Sequence, residues 1–151
     1  MSEHLLRTNA DNEQFKSLVI ELDKYLTICD GEDHAFYAQY NTLETIHHVL
    51  LIVVNDCAVS CGALKPYSSH QMEVKRMFTL PTFRGQGMAT KILKALEQWS
   101  VELSYKTCIL ETGVKQIEAI KLYERLGYQR ISNYGQYEHV ATSICFEKQL
   151  T

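Results

Sequence analysis

The segment with the plainest chemical capability is a turn, Arg84-Gly85-Gln86-Gly87, that runs directly into Met88, Ala89 and Thr90. A strand read over Glu73 to Leu80 enters this turn and a helix leaves it, so unpaired backbone N–H groups and the positive end of a helix dipole meet at one point. Phosphate is attracted to such a point. Glycines at 85 and 87 let a ligand approach the backbone without Cβ obstruction, small Ala89 keeps the first helical turn open for a diphosphate, and Arg84 can add a charged contact. Chain reversal alone would also use glycines here. A P-loop reading fails, because it requires GxxxxGK[ST] and Lys91 follows Thr90 with no glycine before it. A dinucleotide fold requires GxGxxG and an acidic residue about 20 positions on; Gly85 and Gly87 fit, Thr90 does not, and Glu111 is only loosely placed.

The elements that must position this turn read as one continuous chain without repeats or a Pro/Gly-rich linker. A short strand near Leu5 to Thr8 precedes a cluster, Asn9 to Asn12, able to cap a helix with Phe15, Leu18, Val19, Leu22 and Leu26 on one face. Asp30-Gly31 ends that helix, and a second, shorter one is expected over Glu32 to Tyr40. Ile46 to Val54 and Val59 to Leu64 form a hairpin about Asn55-Asp56. After a loop at Pro66 to Ser69 come the Glu73 strand, the glycine turn, and a helix with Met88, Ile92, Leu93, Leu96, Trp99 and Leu103 in register at steps of three and four. Thr107 to Glu111 is a buried strand and Gln116 to Leu126 a helix stopped by Gly127. Tyr128 to Ser132 and Val140 to Glu147 close the chain around a turn at Tyr134-Gly135. The expectation is an α+β fold: a mixed, mostly antiparallel sheet of about six or seven strands, about four helices, and one strand-helix-strand unit from Glu73 to Glu111.

The chain of 151 residues is 46% hydrophobic, the composition of one domain spanning 1–151. Fifteen Lys and Arg against eighteen Asp and Glu give a formal charge of -3, which lacks the positive field of a nucleic-acid binder. No apolar run approaches the ~20 residues of a membrane span, and no targeting segment is read at the amino terminus, so a soluble, cytoplasmic protein is expected. Five cysteines form no CxxC pair. Cys57, Cys61, Cys108 and Cys145 are expected buried and reduced. The six histidines show no metal-binding spacing.

The run Val74-Lys75-Arg76-Met77-Phe78-Thr79-Leu80-Pro81, followed by Arg84-x-x-Gly87-x-Ala89, resembles the acetyl-CoA signature of the GCN5-related N-acetyltransferase (GNAT) superfamily, [QR]xxGx[GA]. Ala119-Ile120-Lys121-Leu122-Tyr123-Glu124-Arg125-Leu126-Gly127-Tyr128 is similar to its second signature, a helix with a tyrosine before a Leu-Gly-aromatic ending. Both occur in the superfamily's order and separation. Gln116 stands where many relatives carry Asn.

The resemblance implies acetyl-CoA as co-substrate, held in a V-shaped gap between the strand ending near Leu80 and the strand near Cys108 to Glu111. Pantetheine would pair with the backbone of Met77, Phe78 and Thr79, with a polar contact from Gln116, and the N–H near Phe78 would polarise the thioester carbonyl. Arg84, Gly85, Gln86, Gly87, Met88, Ala89 and Thr90 would receive the diphosphate. The implied reaction is direct transfer of acetyl to a primary amine of a small molecule or peptide in a ternary complex, without metal. An alkyl ammonium has a pKa near 10, so a base is needed; Glu73 is the candidate and His70 its substitute. Tyr123 would protonate the departing thiolate. The acceptor site would be framed by residues 29–33, the loop Tyr67 to Gln71, and Phe36, Tyr37, Tyr40, Tyr134 and Tyr137. A homodimer is compatible with this reading. The competing classes are a non-catalytic CoA-binding or regulatory module and a dinucleotide-binding domain.

Overall fold

The computed structural model describes residues 2–30 and 46–150. Its elements are β1 (Glu3–Thr8), α1 (Glu13–Asp30), β2 (His48–Val54), β3 (Cys57–Pro66), β4 (Gln71–Thr79), α2 (Met88–Glu102), β5 (Thr107–Gly113), α3 (Ile117–Arg125), β6 (Gln129–Ile131) and β7 (Ser143–Gln149). Short 3-10 turns occupy Pro81–Phe83 and Gly135–Tyr137. The helix expected over Glu32 to Tyr40 lies outside the described residues.

The seven strands form one sheet in the order β1-β2-β3-β4-β5-β7-β6. Every neighbouring pair is antiparallel except β4 with β5, which the α2 crossover makes parallel. The α+β architecture read from the sequence is the one observed. At the β2–β3 turn, Asn55 and Asp56 both have positive φ, 49° and 69°, as a two-residue hairpin of type I′ requires. Asn12 caps α1 by accepting the Phe15 N–H at 3.0 Å.

Alternation along the strands sends side chains into two separate cores. On one face Leu50, Ile52, Leu64, Met72, Val74 and Leu110 pack beneath α2 and α3. On the other, Val49, Leu51, Val53, Cys61, Ala63 and Phe78 pack beneath the Phe15, Leu18, Val19 and Leu22 face of α1. The sheet is thus covered on both sides, which explains why β2 and β3 are almost continuously apolar.

Several boundaries differ from expectation. β4 begins at Gln71 because the Tyr67 N–H closes the turn onto the Gln71 carbonyl. β7 begins only at Ser143, since Val140 and Ser143 donate to Tyr137 and Val140 in successive turns. Cys57 is exposed, contrary to expectation: it occupies the first position of β3, directly after the hairpin turn, where neither core reaches it. Cys61, Cys108 and Cys145 are buried as expected. No described helix is long and apolar enough to cross a membrane.

Burial pushes the Cys61 thiol up to about 12 and the Cys108 thiol to about 11. Because the thiolate is the reactive form, a thiol reagent at neutral pH is expected to modify Cys57 rapidly in the native protein. Cys61, Cys108 and Cys145 should react only after unfolding. Peptide mapping after timed labelling checks the order.

Candidate active site

The site begins where β4 and β5 stop being neighbours. Their register runs only from Gln71↔Thr107 to Glu73↔Ile109, although both strands continue. β5 goes on to pair with β7 as far as Gly113↔Ser143, while β4 follows β3 to Ser60↔Thr79. The two halves of the sheet therefore part after Glu73.

A β-bulge causes the parting. Cys61 faces Phe78 and Ala63 faces Lys75, so Arg76 and Met77 together oppose the single residue Gly62. Arg76 takes up the irregularity with φ 58°, and its carbonyl accepts the Cys61 thiol at 3.2 Å. Gly62 makes the bulge possible: a Cβ there would lie 2.6 Å from Ile92 Cγ2 and 2.7 Å from Met77 Sδ. The extra residue also shifts the alternation. Val74 and Met77 share the α2 side, while Glu73 and Lys75 face the cleft and Arg76 is turned toward Asp23 of α1.

The register divides the three residues expected to offer an open edge. The Leu80 N–H donates to the Val59 carbonyl, so counting back along β4 turns Phe78 toward β3 and Met77 and Thr79 toward the gap. The Phe78 carbonyl also accepts the Ser60 hydroxyl at 3.0 Å. The backbone groups near Phe78 that face the gap are therefore those of Met77 and Thr79.

A cleft of about 90 Å³ opens at the gap, and Glu73, Lys75, Arg76, Glu111, Tyr123 and Tyr137 supply its polar wall. Leu22 and Leu26 of α1 close one side; Met77 and Gln116 lie at another. Glu73 is buried, and its Oε2 accepts the Tyr134 hydroxyl at 2.6 Å, a short charge-assisted bond. Its Oε1 lies 4.0 Å from Lys75 Nζ. Burial holds Lys75 below the ordinary lysine range, an effect that nearby Glu73 and Glu111 oppose. Glu111 Oε2 accepts the Ser143 hydroxyl at 2.7 Å.

Tyr123 is buried at the end of α3 by a Schellman motif: Tyr128 N–H donates to its carbonyl at 3.0 Å and Gly127 N–H to that of Glu124 at 3.2 Å. Its ring centroid stands 5.9 Å from those of Tyr128 and Phe146. Burial, with Glu111 nearby, raises its pKa well above that of a free phenol, so the hydroxyl keeps its proton.

The glycine turn lies at the end of β4. Gly87, φ 79°, precedes α2 without a side-chain cap, and a Cβ at Gly85 or Gly87 would meet nothing within 4 Å. The first amides of α2 therefore receive no side-chain cap from this turn. Arg84 braces the turn, its Nε donating to the Thr79 carbonyl at 2.9 Å and its guanidinium lying over Tyr25 and Phe78. The Met88 side chain is in the core, leaving only its backbone available; Ala89 and Thr90 are half-buried. His70 is exposed in the β3–β4 turn, its carbonyl bonded to the Lys106 and Thr107 amides, and does not border the cleft.

Sequence reading placed the Cys108 to Glu111 strand at the gap but gave no role there to Lys75 or Arg76. The bulge had a signal: two apolar residues of one face, Val74 and Met77, three apart in a strand where two is regular.

The alanine variant of Gly62 is expected to lose about 1–3 kcal/mol of stability, since the bulge and α2 cannot both keep their positions around the added methyl. Urea denaturation measures the loss.

Comparison with known proteins agrees with this geometry. The profile of the Acetyltransferase (GNAT) family matches residues 15–128. The uncharacterised N-acetyltransferase YjgM of Escherichia coli is 34% identical over 113 residues, 72% of this chain and 66% of that protein. The IAA acetyltransferase of Azospirillum brasilense is 30% identical over 88% of each chain. A solved structure from Klebsiella pneumoniae, assigned as an acyl-CoA N-acyltransferase, superposes with TM-score 0.83 over 99% of this chain and 98% of that one, at 29% identity. Parted strands, an uncapped glycine turn and the family match lead to one conclusion: this chain belongs to the acetyltransferase (GNAT) family.

Proposed function

We propose that the chain, as a single N-acetyltransferase domain, moves the acetyl group of acetyl-CoA to a primary amine of a small molecule or peptide by direct attack. The observation that carries this reading is the opening between β4 and β5 with an uncapped helix N-terminus at its mouth. A GNAT protein of Elizabethkingia anophelis, similar in fold at TM-score 0.73 and 18% identity, was solved with acetyl-CoA bound. The residues present here fit that co-substrate: the unfilled space at Gly85 and Gly87 admits a diphosphate, and the open-edge amides of Met77 and Thr79 suit an extended pantetheine arm. Phe78, Gln86, Met88, Ala89 and Thr90 complete the proposed binding run, with Gln116 at the cleft wall.

Bound acetyl-CoA supplies the thioester; the chain's own groups handle the protons. Glu73, the buried carboxylate in the wall, takes the proton that the ammonium must lose before its nitrogen can attack. Tyr123, still protonated at neutral pH, delivers its hydroxyl proton to the sulfur as the carbon–sulfur bond breaks. Amides at the open edge of β4 stabilise the oxygen on which charge develops. A cytoplasmic location belongs to the same reading.

Tyr123→Phe is expected to lower kcat by about 10²-fold or more while the acetyl-CoA Kd measured by calorimetry stays within about twofold, the signature of lost proton transfer without lost binding. Glu73→Gln should lower kcat/KM for the amine by about 10²–10⁴-fold. Because Tyr123 is raised above the usual phenol value of about 10, wild-type turnover should keep rising with pH up to about 9.5 as the amine deprotonates. A decline beginning below about pH 9 would remove Tyr123 as the acid.

A further inference from the structure

The bulge that opens the cleft also does something no strand pairing requires: it re-aims an arginine. Under regular alternation Arg76, two residues after Val74, would enter the apolar core beneath α2. The left-handed backbone at Arg76 instead swings the side chain to the α1 face, where it joins the cleft wall with only 1% of its surface exposed. Its Nη2 donates to Asp23 Oδ1 at 2.8 Å, but Asp23 itself is 51% exposed and occupies one nitrogen alone. Nε and Nη1 are shielded from water, and among the described residues neither has a hydrogen-bond partner. A guanidinium carries five N–H donors and cannot shed its charge, so buried donors left unmatched carry a standing desolvation penalty. Among the described residues, these two nitrogens are the buried side-chain donors of the cleft wall that lack a partner.

Resting on the acetyltransferase reading above, we propose that Arg76 receives a carboxylate of the acceptor, so that the amine substrate is of the amino-acid class, carrying amine and carboxylate together. The cleft wall supports both ends. Glu73 and Glu111 offer negative charge for the ammonium, and Arg76 offers planar donors matched to carboxylate oxygens. A polyamine would bring further positive charge against Lys75 and Arg76, and a neutral monoamine would leave the Arg76 donors unmatched. Glu73 and Arg76 line the same cleft, so one small acceptor can meet both.

The test is a paired acceptor panel: common α-amino acids and short ω-amino acids, each beside its carboxamide, together with spermidine, assayed with acetyl-CoA by mass spectrometry of the products. At least one free acid should exceed its own carboxamide by about tenfold or more in kcat/KM, the discrimination of one charge-assisted pair. Arg76→Gln should raise KM for that acid by about tenfold or more, lower kcat less, and erase the preference, with acetyl-CoA Kd unchanged. A second readout in the wild-type protein does not depend on the variant's folding: the Arg76 Nε–H resonance should shift on titration with the preferred acid and stay in place with its carboxamide. Acetylation of carboxamides or spermidine as fast as of the acids, or an Arg76 resonance indifferent to the acid, overturns the carboxylate assignment and leaves the acetyltransferase reading intact. Acetyl-CoA binding without acetylation of any panel amine overturns both.

Discussion

The cleft of this molecule depends on two adjacent parallel strands failing to stay paired. Hydrogen bonding favours continued β4–β5 pairing, and every backbone group left open between them must find another partner. The bulge at Arg76 opposite Gly62 bends β4 away, and β7, registered with β5 along its whole length, keeps β5 from following. Burial on both faces fixes this arrangement, because a one-residue slip of β4 would exchange Phe78 and Met77 between the two cores. The open edge is therefore a product of packing on either side of it.

The same irregularity supplies the chemistry of the cleft. An even alternation would have given β4 one polar face and one apolar face; the extra residue turns Lys75 and Arg76 in succession toward α1 and leaves Met77 beneath α2. Two carboxylates and two cations thus share a small space with three phenols, Tyr123, Tyr134 and Tyr137, whose burial keeps them protonated. Such a cluster is held in place by specific bonds: Tyr134 on Glu73, Ser143 on Glu111, Asp23 on Arg76. Unlike the apolar cores, it tolerates little rearrangement, because each broken bond leaves a buried polar group unmatched.

Much of this was legible in the chain. The Asn55-Asp56 hairpin, the α2 face with Ile92, Leu93 and Leu96, the glycine turn before it and the helix stop at Gly127 are local features, set by turn geometry and by side-chain periodicity within a few residues. Tyr123 and Glu73 were nameable from short motifs, and both border the cleft. Cys57 was misplaced because an apolar run does not announce which of its ends lies beside a turn at the edge of the cores. Arg84 was named from its position in a motif, while its contacts with the Tyr25 ring and the Thr79 carbonyl depend on the tertiary fold.

By itself, then, the sequence determined most of the described elements, their order, the glycine turn before α2 and the tyrosine at the end of α3, since each follows from interactions between residues close together along the chain. Only the tertiary structure decided that β4 and β5 part after Glu73, that Met77 and Thr79 rather than Phe78 face the gap, and that Arg76 lies against Asp23 in the cleft wall. Those outcomes depend on strand register across the sheet and on which helix covers each face, and register is fixed by long-range packing that no short window of residues contains.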